Sequence, residues 1–366
     1  MIDPFRVLRL LRAMPLLLLL APAAAHGAST SPPLAGAACG SWMSLPSPSA
    51  GTPTAYLAGV GGSGPNDVWA VGHHADYSDG DWFPLFRHWN GTSWSAVASP
   101  SRRGLFYSVA ASSRTNAWAV GEGPIIAHWN GITWSLVSSP RVTFDPREPA
   151  SLRGVAIVSA NNVWAVGLNW HYPTRQLIEH WNGRRWRVIP GVPGGPHPLL
   201  AIAALSATNI WAAGDGMEHW NGSTWTLVPA PVAASAITAV APNDIWAVGN
   251  GDIEHWNGST WSLVPAPNTG EQFTGLTGIA ALSARNIWVV GFSGHIIAHD
   301  GYAEHPLVEH WNGSVWKIVS IPAPGVPDSQ LLAATATSFH TIWAVGFAGK
   351  HRAGSNHALI ERYRSC

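Results

Sequence analysis

The sequence Asn-Asp-Val-Trp-Ala-Val-Gly at residues 66–72 is the first of a series of similar segments that recur along most of the chain. Neighbouring copies lie between 35 residues (Trp211 to Trp246) and 55 residues (Trp288 to Trp343) apart. That period is typical of one four-stranded blade of a β-propeller. Seven copies therefore predict an all-β fold, a seven-bladed β-propeller with four-stranded antiparallel blades. We number the repeat units 1 to 7 by their central tryptophans, which are Trp69, Trp118, Trp164, Trp211, Trp246, Trp288 and Trp343.

A second motif, His-Trp-Asn-Gly-x-x-Trp, follows in units 1 to 6. Asn-Gly tolerates the positive φ angles of a two-residue hairpin turn, so the motif marks the turn between the third and fourth strands. In unit 3 the pattern predicts strands at residues 152–159, 163–168, 176–181 and 185–189. Six equivalent histidines on different blades lie too far apart to share one ion. We interpret them as structural hydrogen-bonding groups, with repeated shallow glycan sites as the alternative.

Unit 7 ends at the C-terminus without a fourth strand. The matching segment is at the other end of the chain, where Gly-Ser-Trp-Met-Ser-Leu-Pro-Ser-Pro at residues 40–48 resembles residues 92–100 of unit 1. We therefore expect the N-terminal strand 40–48 to complete the last blade and close the ring. Such closure leaves no open sheet edge at the join.

Cys39 and Cys366 are the only cysteines, and they flank this composite hairpin. In an exported protein, two cysteines at the matching ends of paired strands predict a disulfide. The alternative is lipidation of Cys39. It is disfavoured because residues 36–38, Gly-Ala-Ala, lack the usual apolar lead residue and lie well beyond the apolar N-terminal run.

Residues 1–25 have the pattern of a signal peptide. Three arginines precede an apolar run at residues 14–21, and Ala-Ala-Ala at residues 23–25 supplies the small residues of a cleavage site. The run is too short to span a bilayer, which disfavours an uncleaved anchor and membrane insertion of the mature protein. We expect a linker at residues 26–38, a propeller at residues 39–366, and a secreted or extracytoplasmic location.

Charge restricts the partners of the mature chain. Removing residues 1–25 deletes three arginines and Asp3, which leaves 17 basic and 19 acidic residues out of 20 of each. A net charge of −2 with neutral histidines disfavours nucleic acid, which requires a dense cationic surface, and disfavours anionic membranes. We expect a monomer whose partner is an extracellular protein or glycan.

The order of the motifs resembles the BNR/Asp-box propellers, in particular the photosystem II assembly-factor type and related secreted bacterial repeat proteins. The resemblance covers residues 39–366. Gly91, Ser93 and Trp94 match the end of the Asp-box, although Trp89 stands at the position of its aspartate. In that family the box is a folding element. The arginine cluster, Tyr–Glu pair and aspartate of the sialidases have no counterpart here, and Arg153 is an isolated candidate, so the resemblance implies a fold and no activity.

The loops between the second and third strands are long in units 1, 3, 6 and 7 and short elsewhere. Units 6, 7 and 1 are neighbours in a closed ring, so three long loops are expected in one sector, where binding residues concentrate on a rigid scaffold. The candidate binding residues in these loops are His73, His74, Asp76, Asp79, Asp81, Trp82, His295, His299, Asp300, Tyr302, His351 and Arg352.

Three interpretations of these residues remain open. They are an ordinary solvated rim, a surface for a protein or glycan, or a metal site. Histidine and aspartate can ligate zinc, and Asp76, Asp79 and Asp81 can offer oxygens to calcium, but their spacing fits no established metal motif. No cofactor is predicted. We expect a secreted binding or scaffold protein, and the alternative is a metal-dependent hydrolase or lyase that activates water in the same loops.

If the Cys39–Cys366 disulfide forms, reduction or Cys366→Ser will lower the thermal midpoint and expose the terminal segments to protease. The chain-entropy model gives an upper limit of about 5–6 kcal/mol for so long a loop. Non-reducing peptide mapping of the mature protein should recover a Cys39 peptide linked to the C-terminal peptide. Two free thiols, or a lipid on Cys39, would contradict the prediction.

Overall fold

The computed structural model describes residues 40–48, 54–76, 81–140, 150–169, 175–195, 198–297, 301–338, 340–350 and 355–365. All the regular elements in these ranges are β-strands, and they include no helix that could span a membrane. The expected signal peptide and linker, Cys39 and Cys366 lie outside the described residues, so the disulfide stays a prediction.

The first three units contain β2 to β13 after an N-terminal strand, β1. These strands are β1 (Ser41–Ser44), β2 (Thr54–Gly64), β3 (Asp67–Asp76), β4 (Asp81–Trp89), β5 (Trp94–Val97), β6 (Phe106–Ser113), β7 (Asn116–Gly121), β8 (Ile126–Trp129), β9 (Trp134–Leu136), β10 (Ser151–Ser159), β11 (Asn162–Asn169), β12 (Arg175–Trp181) and β13 (Trp186–Val188).

The remaining units contain β14 to β28. These strands are β14 (Leu199–Ser206), β15 (Asn209–Gly214), β16 (Met217–Trp220), β17 (Trp225–Val228), β18 (Ala236–Ala241), β19 (Asp244–Gly249), β20 (Asp252–Trp256), β21 (Trp261–Val264), β22 (Phe273–Ser283), β23 (Asn286–Ile297), β24 (Gly301–Trp311), β25 (Trp316–Ile318), β26 (Asp328–Ser338), β27 (Thr341–Lys350) and β28 (Ser355–Arg364).

Within each unit, consecutive strands pair antiparallel, so that β10, β11, β12 and β13 of unit 3 form one four-stranded sheet. The first strand of every unit lines one cavity of about 210 Å³, to which β2, β6, β10, β14, β18, β22 and β26 all contribute. Four-stranded sheets arranged around a common centre form a β-propeller. The expected all-β propeller is therefore confirmed.

The N-terminal strand joins the last unit. β1 pairs with β28 from Ser41 opposite Arg364 to Ser44 opposite Glu361. Beyond these pairs, the amide of Gly40 donates to the carbonyl of Arg364 at 2.7 Å. Backbone hydrogen bonding to β28 thus begins one residue after Cys39, at the join predicted from the sequence.

Tryptophans fill the gaps between neighbouring sheets. Trp69 of unit 1 packs against Trp129 and Trp134 of unit 2, with ring centroids 4.7 and 5.0 Å apart. The same relay repeats around the chain and reaches the join, where Trp42 of β1 meets Trp288 of unit 6 edge-on at 5.5 Å. Large rings suit this position because blades diverge outward and leave wedge-shaped spaces between them.

The glycine that ends each Trp-Ala-Val-Gly segment is required by a close backbone approach. The register of β2 against β3 shifts at Leu57 to Gly59, a β-bulge in the first strand. A Cβ atom on Gly72 would lie 2.0 Å from the carbonyl oxygen of Tyr56. No side chain fits at that distance, so the repeated glycine follows from the repeated bulge.

The long loops expected in units 1, 6 and 7 are for the most part paired strands. β23 and β24 stay paired out to Ile297 opposite Gly301, and β3 and β4 out to Asp76 opposite Asp81. Single parallel bridges, Thr54 to Asn356 and Glu304 to Asp328, link these units into one twelve-stranded sheet. We call residues 286–311, 341–364 and 67–89 the hairpin sector.

Trp42→Ala should destabilise the protein by about 3–5 kcal/mol, because it removes a side chain that is only 5% exposed from the join. The matched control is Trp82→Ala, since Trp82 is 40% exposed and its loss should cost about 1 kcal/mol. Urea unfolding followed by circular dichroism measures both. Equal losses would show that β1 adds little to the stability of the ring.

Candidate functional site

An aromatic cluster lies where the hairpins of units 1 and 7 meet. The ring of Tyr56 is 4.9 Å from that of Phe347 and 5.3 Å from that of His73, and Trp82 packs edge-on against His73 at 4.9 Å. The amide of Asn356 donates a hydrogen bond to the Tyr56 hydroxyl. The two units are thus joined by side chains as well as by the bridge from Thr54.

His73 is held uncharged in this cluster. Burial, together with the charge of neighbouring His74, lowers the pKa of His73 to about 4. Its Nδ1 atom is buried and has no hydrogen-bond partner among the described residues. His74 lies on the opposite face of the strand and stacks on Phe83 at 5.2 Å. The two adjacent histidines therefore contact different residues and do not converge on one site.

The aspartates considered as possible calcium ligands form no such site in the described residues. Asp81 makes an ion pair with Arg103, which occupies its carboxylate at the surface. Asp76 ends β3 opposite Asp81 in the ladder, and Asp79 lies outside the described residues. In unit 1 the structure thus brings together His73 and Trp82 from the candidates, and it pairs Asp81 with an arginine that the sequence did not single out.

The hairpin of unit 6 carries a second group. His295 Nδ1 lies 3.0 Å from an oxygen of Glu271, a residue of the preceding linker. Tyr302 is 53% exposed and meets Phe273 edge-on, while Ile296 and Ile297 are exposed beside it. The other candidates from this sector, His299, Asp300, His351 and Arg352, lie outside the described residues.

No three histidine, cysteine, aspartate or glutamate side chains come together as a metal site in the part of the chain that the structure describes. The exposed large apolar side chains of the hairpin sector are Trp82, Ile296, Ile297 and Tyr302, and Asp81 and Glu271 are each paired. Its chemistry suits contact with another molecule better than water activation.

The repeated histidine makes the same contacts in units 1 to 6. In unit 1, Nε2 of His88 donates to Asp67 at 2.7 Å, and the ring lies 4.3 Å from that of Trp69. In unit 6, His310 bonds Asn286 at 3.0 Å and stacks on Trp288 at 4.2 Å. Each histidine thus ties the third strand to the start of the second within its own unit. The structural interpretation of these histidines holds.

Sequence reasoning missed a set of buried glutamates. In units 3 to 7 the residue before the histidine position is a glutamate that is at most 1% exposed. The signal was the recurrence of an acidic residue inside an otherwise apolar third strand. These residues are Glu179, Glu218, Glu254, Glu309 and Glu361.

Burial raises the pKa of each of these carboxyl groups to about 7. Four of them have a partner that opposes the rise, and for Glu218 this partner is the side chain of Gln176. Glu179 accepts from Ser139, Glu254 from the amide of Val232, and Glu361 from Ser44 of β1. Both carboxylate oxygens of Glu309 lack a partner among the described residues. A buried carboxyl without a partner is more stable protonated.

The central cavity contains one notable cation. The guanidinium of Arg153 lies 4.0 Å above the ring of Tyr107, and its Nε donates to Ser151 at 3.1 Å. Arg153 is thus held by a hydrogen bond within its own unit and by a cation–π contact with the first strand of unit 2. The other side chains of the lining are small, aliphatic or hydroxyl-bearing, so this cavity offers no set of catalytic groups in the described residues.

Comparison with solved structures finds propellers of similar shape. A structure described as YCF48 bound to D1 peptide is 17% identical, covers 89% of this chain and 94% of its own, and has a TM-score of 0.58. YCF48 from Cyanidioschyzon merolae is 15% identical, covers 88% and 98%, and has a TM-score of 0.54. At these identities the likeness shows the fold alone. No protein-family model matches the chain, and no curated protein matches its sequence.

The stability of the protein should fall as pH rises from about 4.5 to 7. A carboxyl whose pKa is raised in the folded state stabilises it fully below the unfolded pKa, and that contribution is lost as pH passes the folded pKa near 7. For Glu309 the loss is on the order of 3 kcal/mol. Glu309→Gln should therefore flatten the dependence, measured as urea unfolding between pH 4 and pH 8.

The control is Glu304→Gln, which changes a half-buried carboxylate outside the repeated position. It should leave the pH dependence as it is in the parent protein. If Glu309→Gln changes the free energy of unfolding by the same amount at pH 4 and at pH 8, Glu309 is not buried as a proton-binding group.

Proposed function

We propose that this chain is a secreted, seven-bladed β-propeller scaffold that binds a protein partner through the hairpin sector. The observation that carries the proposal is the twelve-stranded sheet that joins units 6, 7 and 1. Among the described residues, the sheets of units 6, 7 and 1 are linked by β-bridges, whereas the sheets of units 2 to 5 are separate. A continuous sheet makes their hairpins one rigid surface, and rigid elements lose little conformational entropy on binding.

The side chains on this surface are those of a protein-binding site. Trp82, Ile296, Ile297 and Tyr302 are large apolar residues that remain between 38% and 62% exposed. Aromatic residues dominate the energetics of protein interfaces, particularly where neighbouring groups hold them in place. Tyr56 and His73 do this for Trp82, and Phe273 does it for Tyr302.

One of the similar propellers offers a precedent. YCF48 is described with a D1 peptide bound, so a propeller of this general shape can hold a segment of another protein. The precedent supports a protein partner for this chain and says nothing about which protein. The Asp-box-like residues Gly91, Ser93 and Trp94 support a place among BNR-like propellers.

The repeat count and both chain ends support the finer features of the proposal. Seven units each contribute a first strand to one cavity, which supports a seven-bladed ring. The signal-peptide pattern at residues 1–25 supports secretion, with residues 26–38 as a linker and residues 39–366 as the propeller. A disulfide between Cys39 and Cys366 would hold β1 in the last blade.

A glycan is the second candidate ligand. Trp82 is 40% exposed and Tyr302 is 53% exposed, and aromatic side chains of this kind pair an apolar face with a polar tip. The exposed Ile296 and Ile297 beside Tyr302 suit an apolar protein surface better than a sugar. We therefore place protein first and use a glycan array to distinguish the two.

Replacing the outer part of the unit 1 and unit 6 hairpins by the short Asn-Gly turn of unit 5 should abolish partner binding. The replaced segments are residues 73–84 and 292–305. The matched control carries the same turn in unit 3, at residues 168–176, outside the hairpin sector. Binding is measured by crosslinking and mass spectrometry with the extracellular proteins of the source organism.

The expected result is a crosslinked partner with the parent and the unit 3 variant, and none with the sector variant, while all three keep the same circular dichroism spectrum. If the sector variant captures the same partner as the parent, the hairpin sector is not the binding surface. Binding to the glycan array without any protein partner would favour the second candidate.

A further inference from the structure

A groove of about 600 Å³ lies along unit 6, beside the linker that leads to unit 7. Its floor is formed by β24 and β25, with Leu307 and Ile318 facing the space. One wall is the segment 320–327, which contains three prolines, and the other includes Thr269 and Glu271. The volume falls within the roughly 300–1,000 Å³ that is typical of small-molecule sites.

The lining is apolar with few polar groups, and the charge that it carries is negative. Glu271 supplies the single carboxylate, and no lysine or arginine is found among the described lining residues. Ser293 and His305 add a hydroxyl and an imidazole. A carboxylate at the edge of an apolar space attracts a cation more strongly than it would in bulk water, because the local dielectric is lower.

Glu271 is held in position rather than free to turn away. One carboxylate oxygen lies 3.0 Å from Nδ1 of His295, and the amide of Glu271 donates to the hydroxyl of Thr269 at 3.3 Å. The opposite wall is restrained by proline, whose ring fixes φ. Because the walls of the groove are already ordered in this way, ligand binding requires little loss of conformational entropy.

We propose that this groove binds a small organic cation with an apolar body, with the ammonium group beside Glu271 and the apolar part against Leu307, Ile318 and the prolines of segment 320–327. The site differs in ligand class from the protein-binding surface and does not require that a partner binds there.

The test uses three probes that share one apolar body, with the full mature chain in isothermal titration calorimetry at neutral pH. The probes are 4-phenylbutylammonium, 4-phenylbutanol and 4-phenylbutyrate. The ammonium probe should bind about tenfold more tightly than the butyrate, a ratio within reach of one partly desolvated ion pair. Glu271→Gln should reduce the affinity for the ammonium probe to that for the alcohol and leave the alcohol unchanged.

Two further variants keep the result interpretable. Glu304→Gln removes a neighbouring carboxylate that bonds Gln330 and does not line the groove, so the preference for the cation should persist. Ala323→Trp places a large ring in the wall and should abolish binding of all three probes. Three results would overturn the proposal. They are equal affinity for the ammonium and butyrate probes, no binding of any probe at millimolar concentration, and an unchanged preference for the ammonium probe in Glu271→Gln.

Discussion

The contact between a second-strand tryptophan and two aromatic rings of the next unit is the interaction on which this propeller depends. Trp69 meets Trp129 and Trp134, and the pattern advances unit by unit until Trp343 meets Trp89 and Trp94 of unit 1. Each such pair adds about 0.5–1.5 kcal/mol beyond the burial of its apolar area. Because every unit supplies both sides of the contact, the sheets stabilise one another rather than a shared central core.

This packing explains which polar groups the fold can bury. For Glu179 and Glu254, the third-strand carboxyl between two sheets finds its partner in the preceding linker. Glu179 finds Ser139, which lies five residues after Trp134. Ala266 holds the equivalent place after Trp261, and Glu309 is left without a partner among the described residues. Identical positions in the repeat therefore differ in whether the buried carboxyl group has a hydrogen-bond partner.

Much of the fold could be predicted from the repeat, because spacing and turn chemistry are local. The strands expected at residues 152–159 and 163–168 occur as Ser151–Ser159 and Asn162–Asn169. The form of the hairpin sector could not be predicted in this way. The segments that form it mix histidines, aspartates and aromatic residues without a regular apolar alternation, so His73 and His74 were expected in a loop. Paired strands hold them instead.

The candidate site was only partly predictable for a related reason. Trp82 and Tyr302 could be chosen as exposed aromatics in an insertion, because length and residue type are visible in a sequence. The contact of His295 with Glu271 joins residues 24 positions apart across a linker, and the contact of Tyr56 with Asn356 joins residues 300 apart. Such contacts follow from tertiary packing and leave no local pattern in the sequence.

The pairing of β1 with β28 has a consequence for the order in which the protein folds. Ser44 and Glu361 are separated by 317 positions, so β1 can complete its blade only after nearly all of the chain has been made. Closing so long a loop is entropically costly and slow compared with forming any internal hairpin. Until β28 has been made and pairs with β1, the apolar side chain of Trp42 stays available to other chains. The ring is therefore most exposed to misassembly during synthesis, and chaperone binding to the N-terminal strand would protect it at that stage.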